Sequence, residues 1–174
     1  MTQKGSLFLI EEEKIKRRIK ELASEIKKDY EGKKPLFIGI LKGAFIFLAD
    51  LVREVDMDLE IDFLAVSSYG KFTETTGEVE ILKDLQIPVK GRHVIIVEDI
   101  IDTGLTLKYI KDMLLSRNPA SLKVCALLDK KERRKVDIEA DYVGFVVPDK
   151  FLVGYGLDVA EKYRNLPYIR EIES

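Results

Sequence analysis

The sequence predicts an α/β domain built on a mainly parallel sheet, and two observations carry that expectation. Short apolar runs rich in Val, Ile and Leu recur along the chain with helical stretches between them. That alternation lays strands side by side in one direction and covers both faces of the sheet with helices. In addition, every polar cluster that could bind a ligand falls just after one of the apolar runs. The C-terminal strand ends of such sheets are where ligands collect. A chain of 174 residues suffices for one domain, 1–174, with a proper core, and no repeat, low-complexity tract or linker divides it.

Glu11 to Tyr30 reads as an amphipathic helix, because Ile15, Ile19, Leu22, Ile26 and Tyr30 recur at spacings of three and four. Acids at its start and Lys27-Lys28 near its end suit the helix dipole. Gly32 ends it. Leu36 to Leu41 follows as a buried strand, Lys42-Gly43 as a turn, and Ala44 to Val55 as a short apolar helix. Ile61 to Val66 is the next strand. Ser67 to Gly77, rich in glycine and threonine, has almost no core residues. Val79 to Leu85 resumes a strand pattern, and Pro88 to Gly91 turns the chain into Val94-Ile95-Ile96-Val97, a buried β-branched strand. Glu98 and Asp99 sit where that strand should end. Asp102-Thr103-Gly104-Leu105-Thr106 then opens a helix running roughly from Leu105 to Ser116, and Asn118-Pro119 stops it. Leu122 to Leu128 and Tyr142 to Val147 are further strands, separated by the charged run Asp129 to Lys135. Phe151 to Pro167 carries glycines, an aspartate and aromatics with no clean period.

Composition narrows the function classes. The 29 basic and 31 acidic residues leave a net charge of −2, which gives no electrostatic case for nucleic-acid or membrane binding. The charged run after Leu128 has too few aromatics for base stacking and reads as a solvated loop. Cys125 is the single cysteine, set in an apolar strand, so no intrachain disulfide is available and a reducing compartment fits. Leu7 to Ile10 is too short an apolar run for a signal peptide, and no segment approaches a membrane span. A cytoplasmic location is expected.

The segment from Val94 to Leu107 is the most informative. Small and hydroxylated residues around a glycine at a helix start leave backbone N–H groups free to bind phosphate. Alone, Asp102 to Thr106 could equally be a helix cap, since Asp and Thr are ordinary N-caps. The adjacent acids make sense if the ligand also carries a diol and Mg²⁺, which carboxylates hold. His93, the only histidine, excludes a His-rich metal site.

Val97-Glu98-Asp99-Ile100-Ile101-Asp102-Thr103-Gly104-Leu105-Thr106 closely resembles the phosphoribosyl-pyrophosphate motif of the hypoxanthine-guanine phosphoribosyltransferase family. Pro148-Asp149-Lys150-Phe151-Leu152-Val153-Gly154-Tyr155-Gly156-Leu157-Asp158 resembles that family's base-pocket segment. The resemblance implies a type I phosphoribosyltransferase fold, with a core over about 1–147 and a small hood contributed largely by 148–174. It implies transfer of a 5-phosphoribosyl group from phosphoribosyl pyrophosphate to N9 of a 6-oxopurine, with Mg²⁺ as cofactor. It also implies a homodimer or homotetramer. Asp102 would be the general base, and Asp102, Thr103, Gly104, Leu105 and Thr106 would hold the 5′-phosphate. Lys42, Gly43 and Arg164 would engage pyrophosphate. Lys130, Lys150, Phe151, Leu152 and Asp158 would form the purine pocket, with Phe151 stacking on the base and Lys130 meeting the 6-oxo group. Glu98 and Asp99 would align the metal and ribose, and Asp158 would serve a second Mg²⁺. Ser68 and Tyr69 match a pair in a loop that closes over the site in similar enzymes.

Two departures stand out: Leu105 where some relatives have lysine, and Leu152 where valine is frequent. Two rivals have less support. A regulatory protein keeping this fold as a sensor would be expected to lose the catalytic acid or the base pocket, yet Asp102, Lys130 and Phe151 are all present. A receiver-like signalling domain needs its acids after an early strand and no Gly-Leu-Thr turn.

Overall fold

The computed structural model describes residues 7–68 and 79–173. Its central sheet has six strands: β2 (Leu36–Leu41), β3 (Glu60–Ser68), β4 (Val79–Lys83), β5 (His93–Ile101), β6 (Ser121–Asp129) and β7 (Tyr142–Val146). Their order is β4-β3-β2-β5-β6-β7, all parallel except the antiparallel edge strand β4. Three helices flank them: α1 (Glu12–Asp29), α2 (Phe45–Glu54) and α3 (Leu105–Leu115).

Strand alternation sorts the core into two layers. Phe37, Ile95, Val97, Cys125 and Leu127 pack against α1 and α2, while Leu36, Ile38, Val94, Ile96, Val124 and Ala126 pack against α3. The expected face of α1 is buried through Ile15, Ile19, Leu22 and Ile26. Burying each such side chain is worth about 1.5–3 kcal/mol. Packing decides this helix, since Glu11 at its start makes no side-chain cap.

The crossover from β2 through α2 leads to β3 on one side, and the crossover from β5 through α3 leads to β6 on the other. The crevice therefore opens between the C-terminal ends of β2 and β5. β5 is longer than the apolar run predicts. Its pairing with β2 stops at Gly39 opposite Val97, but β6 keeps pairing it through Glu98, Ile100 and Ile101. Glu98 and Asp99 consequently lie within the strand, just where its β2 neighbour is lost.

A second, three-stranded antiparallel sheet forms the hood: β1 (Leu9–Ile10), β9 (Ile169–Glu171) and β8 (Leu152–Val153), in that order. Its strands are too short to carry a period in the sequence, and an N-terminal strand forms one edge. The segment Ser67 to Gly77 is only partly described. Tyr69 lies outside the described residues, and Ser68 is described as the last backbone position of β3.

Candidate active site

The loop from β5 into α3, the expected phosphate loop, is central to the crevice. Gly104 begins α3 with φ +86, a left-handed conformation that glycine adopts readily. A side chain there would also collide with Ile138 and Arg134. Gly104 occupies the cap position and no side chain caps the helix, so Asp102 is not an N-cap. Thr103 Oγ1 accepts the Leu105 N–H at 3.3 Å. The N–H groups of Thr106 and Leu107 have no partner among the described residues. They adjoin a cavity of ≈ 170 Å³ lined by Glu98, Asp102, Thr103, Gly104 and Thr106, among others. The cavity thus combines free amides at a helix start with a carboxylate of the general-base type.

Glu98 is buried at 9 % exposure. Burial pushes its carboxyl well above the usual range, and the neighbouring Asp99 charge adds to the effect. Asp99 is raised too, by burial first, although the Ile100 N–H at 2.7 Å and the Arg164 charge oppose it. Neither acid forms an ion pair among the described residues. A buried acid pair of this kind fits a hard divalent cation that takes one or two protein carboxylates and completes its shell with ligand oxygens. Among the described residues no three acidic, His or Cys side chains come together as a ready-made metal cage. Asp158 instead accepts the Glu161 N–H at 2.8 Å and lies 3.5 Å from Arg164.

The turn after β2 packs directly on this pair. A Cβ at Gly43 would strike the Asp99 carboxylate, and one at Gly156 would strike the Gly43 carbonyl oxygen. Gly43, Asp99 and Gly156 thus join the turn after β2, the acid pair and the hood with no room for a methyl group. The Leu41–Lys42 peptide is cis. Lys42 and Arg164, the expected pyrophosphate ligands, converge on one carboxylate that sequence reading missed. Glu161 lies 3.3 Å from the Lys42 ammonium and 3.2 Å from the Arg164 guanidinium. Those cations, Arg164 first, hold its carboxyl below the ordinary range. Ala160, Glu161 and Tyr163 all have positive φ, a cluster of unfavourable conformations of the kind found at functional sites. Arg164 also donates to the Gly156 carbonyl at 2.7 Å.

The residues expected to hold the purine follow β6 and β7 in the chain. Lys130 follows β6 and donates its backbone N–H to Ile101 at 2.9 Å, while its ammonium has no partner among the described residues. Phe151 is 62 % exposed, an open ring face available for stacking. Leu152 turns its side chain into the core as part of β8, and Lys150 is exposed. No described contact joins Phe151 to Lys130 or Asp102 directly. Their shared position at the strand ends relates them, through bonds such as Val147 N–H to Asp129 O at 3.0 Å. Tyr155 anchors the hood to α2 by donating its hydroxyl to Asp50.

The run after β6 differs from the expected solvated loop. Asp129 is fully buried and pairs with Arg134. Arg134 in turn packs under Gly104, and the Lys135 N–H donates to the Thr103 carbonyl at 2.8 Å. The segment, with one 3₁₀ turn at Lys131–Arg133, is a strap across the phosphate loop. An aspartate closing an apolar strand was the available signal, but its partner five residues on is hidden in a run of charges.

A larger cavity of ≈ 490 Å³ between α1 and α2 lies apart from this crevice. Its Lys16 and Arg53 are already paired with Glu12, Glu13 and Asp50. Among the described residues no helix is long and apolar enough to cross a membrane.

The model of the phosphoribosyl transferase domain family matches residues 9–160. The chain is 57% identical over 167 residues to the hypoxanthine-guanine phosphoribosyltransferase of Aquifex aeolicus (strain VF5), spanning 95% of this chain and 94% of that one. Identity to the hypoxanthine-guanine phosphoribosyltransferase of Bacillus subtilis (strain 168) is 55% over 161 residues, or 92% and 89% of the two chains. A crystal structure of a Bacillus anthracis hypoxanthine-guanine phosphoribosyltransferase superposes with a TM-score of 0.92 at 52% identity, covering 97% of this chain and 98% of that one.

Proposed function

The chain belongs to the phosphoribosyl transferase domain family, and from that premise we propose a purine-salvage enzyme that makes IMP or GMP. It transfers the 5-phosphoribosyl group of phosphoribosyl pyrophosphate to N9 of hypoxanthine or guanine and releases pyrophosphate. It acts in the cytoplasm as a homodimer or homotetramer. The observation that carries this reading is the cavity after β5, where the free Thr106 and Leu107 amides adjoin Asp102 and the buried Glu98, with Asp99 beside Glu98 against the turn after β2.

The backbone of Asp102 to Thr106 holds the 5′-phosphate at the helix start. This needs no lysine at position 105, because amides and the helix dipole supply the attraction. Mg²⁺, held through Glu98 and Asp99 together with the donor's own oxygens, would neutralise the departing pyrophosphate. Lys42, the Gly43 backbone and Arg164 grip that pyrophosphate. Phe151 stacks on the purine, the Lys150 to Leu152 backbone reads its edge, and Lys130 donates to the 6-oxo group. Asp158 would serve the base and help hold a second Mg²⁺, as the family resemblance implies. Asp102 accepts the N7 proton as the N9 bond forms. The reacting ribose is oxocarbenium-like and vulnerable to water, which gives Ser68 and Tyr69 their role in closing the site.

A base panel tests the reading. With phosphoribosyl pyrophosphate and Mg²⁺, hypoxanthine or guanine should yield nucleotide and adenine should not. The 6-amino group of adenine would leave the Lys130 donor unpaired, and such mismatches discriminate strongly. Comparable turnover of adenine and hypoxanthine would overturn the pocket assignment.

A further inference from the structure

The strap after β6 delivers a side chain to the proposed general base. It is fastened on both sides of that point. Upstream, the Lys130 N–H bonds the Ile101 carbonyl at 2.9 Å. Downstream, the Lys135 N–H bonds the Thr103 carbonyl at 2.8 Å, and Arg134 is held by buried Asp129 and by the Ile138 carbonyl at 3.2 Å. Between these fastenings the Arg133 Nε lies 2.9 Å from Asp102 Oδ1. Oδ1 is shielded from solvent and has no aligned hydrogen bond, although the Asp102 side chain as a whole is 45% exposed. The contact is one of charge, and it engages only one oxygen of the carboxylate.

We infer that Arg133 is a positioning residue for Asp102. By drawing Oδ1 toward the strap, it turns the other carboxylate oxygen toward the cavity, where N7 of the purine would lie. It touches neither substrate. Its effect is to reduce the rotation that the carboxylate must lose before accepting the proton. The inference rests on reading Asp102 as the general base, and the experiment separates the two.

The measurement is single-turnover transfer on the full chain with hypoxanthine, phosphoribosyl pyrophosphate and Mg²⁺, so that product release does not mask the chemical step. Arg133→Ala should slow transfer about threefold to fivefold, the range that an exposed ion pair supports. Purine KM, IMP affinity and thermal midpoint should be unchanged, and Arg133→Lys should recover part of the loss. Asp102→Asn should slow transfer about 10²–10⁴-fold. In that background Arg133→Ala should have no further effect, since the cycle isolates the pair. A wild-type rate in Arg133→Ala overturns the inference, as does an equal loss from Arg133→Ala with or without Asp102. If Asp102→Asn alone keeps the wild-type rate, the general-base reading fails and the inference falls with it.

Discussion

Replacing Arg134 with methionine should destabilise this protein far more than its place in a charged surface run suggests. Asp129 is 0% exposed, and Arg134 is its cation partner. Methionine keeps the length of the stem that packs beneath Gly104 but leaves the carboxylate buried without a counter-charge. Removing one member of a buried pair costs about 3–5 kcal/mol. Each kcal/mol lowers the midpoint of a domain of this size by about 2–4 °C, so a fall of roughly 6–20 °C is expected. The pair itself is not fully satisfied, because Asp129 Oδ2 and Arg134 Nε lack hydrogen-bond partners. The double variant Asp129→Leu/Arg134→Met should therefore recover most of the loss, as apolar replacements of buried pairs often do. Thermal unfolding by circular dichroism in one buffer reads both effects, and IMP titration reports on the phosphate loop. A fall of under about 2 °C in the single variant, no more than one kcal/mol on that scale, would refute the reasoning. So would a double variant no more stable than the single.

Two further outcomes follow from the site. Glu161→Gln should tighten binding of inorganic pyrophosphate by up to about fivefold, because Lys42 and Arg164 lose an exposed internal carboxylate that competes for them; unchanged or weaker binding by calorimetry would show that Glu161 organises the cations instead. Excess chelator should abolish transfer and added Mg²⁺ should restore it, whereas full activity in chelator would remove the metal role from Glu98 and Asp99.

Much of this fold and of its candidate site was legible because the relevant signals are local. Helical spacing in Ile15 to Ile26 and β-branched runs such as Val94 to Val97 specify elements whose burial follows from their own pattern. Strand ends then located Lys42, Asp102 and Lys130. What escaped reading depends on partners distant in sequence. Leu9–Ile10, Leu152–Val153 and Ile169–Glu171 are strands only because they find one another. Gly156 is constrained by a carbonyl at Gly43, which no spacing rule reveals. Asp129 to Lys135 looked solvent-facing because a run of charges does not disclose which member will fold against a buried carboxylate. The alternative of a helix cap at Asp102 falls for a local reason, since Gly104 in the left-handed conformation occupies the cap position of α3.

The sheet contains its own control for interpreting Glu98 and Asp99. It also buries Asp62 and Asp129, and each has a partner within the protein, although Asp129 Oδ2 is left without a hydrogen bond. Burial disfavours the Asp62 charge, but N–H groups of Phe63, Gln86 and Ile87 at 2.7–2.8 Å outweigh it, with Lys83 adding to them, so its carboxyl stays below the ordinary range. Asp129 has Arg134. Glu98 and Asp99 share a side-chain hydrogen bond and have the Ile100 N–H at 2.7 Å, the Asp99 N–H and the Arg164 charge, yet burial still raises both. Folding alone would favour an apolar pair at these positions, because uncompensated buried charge is costly. A divalent cation and ribose hydroxyls would supply further compensation, and the pair lies where β2 and β5 part. An acid pair left raised by burial is one that a bound cation would complete, and its cost in the free protein is the reason it supports the proposed metal role.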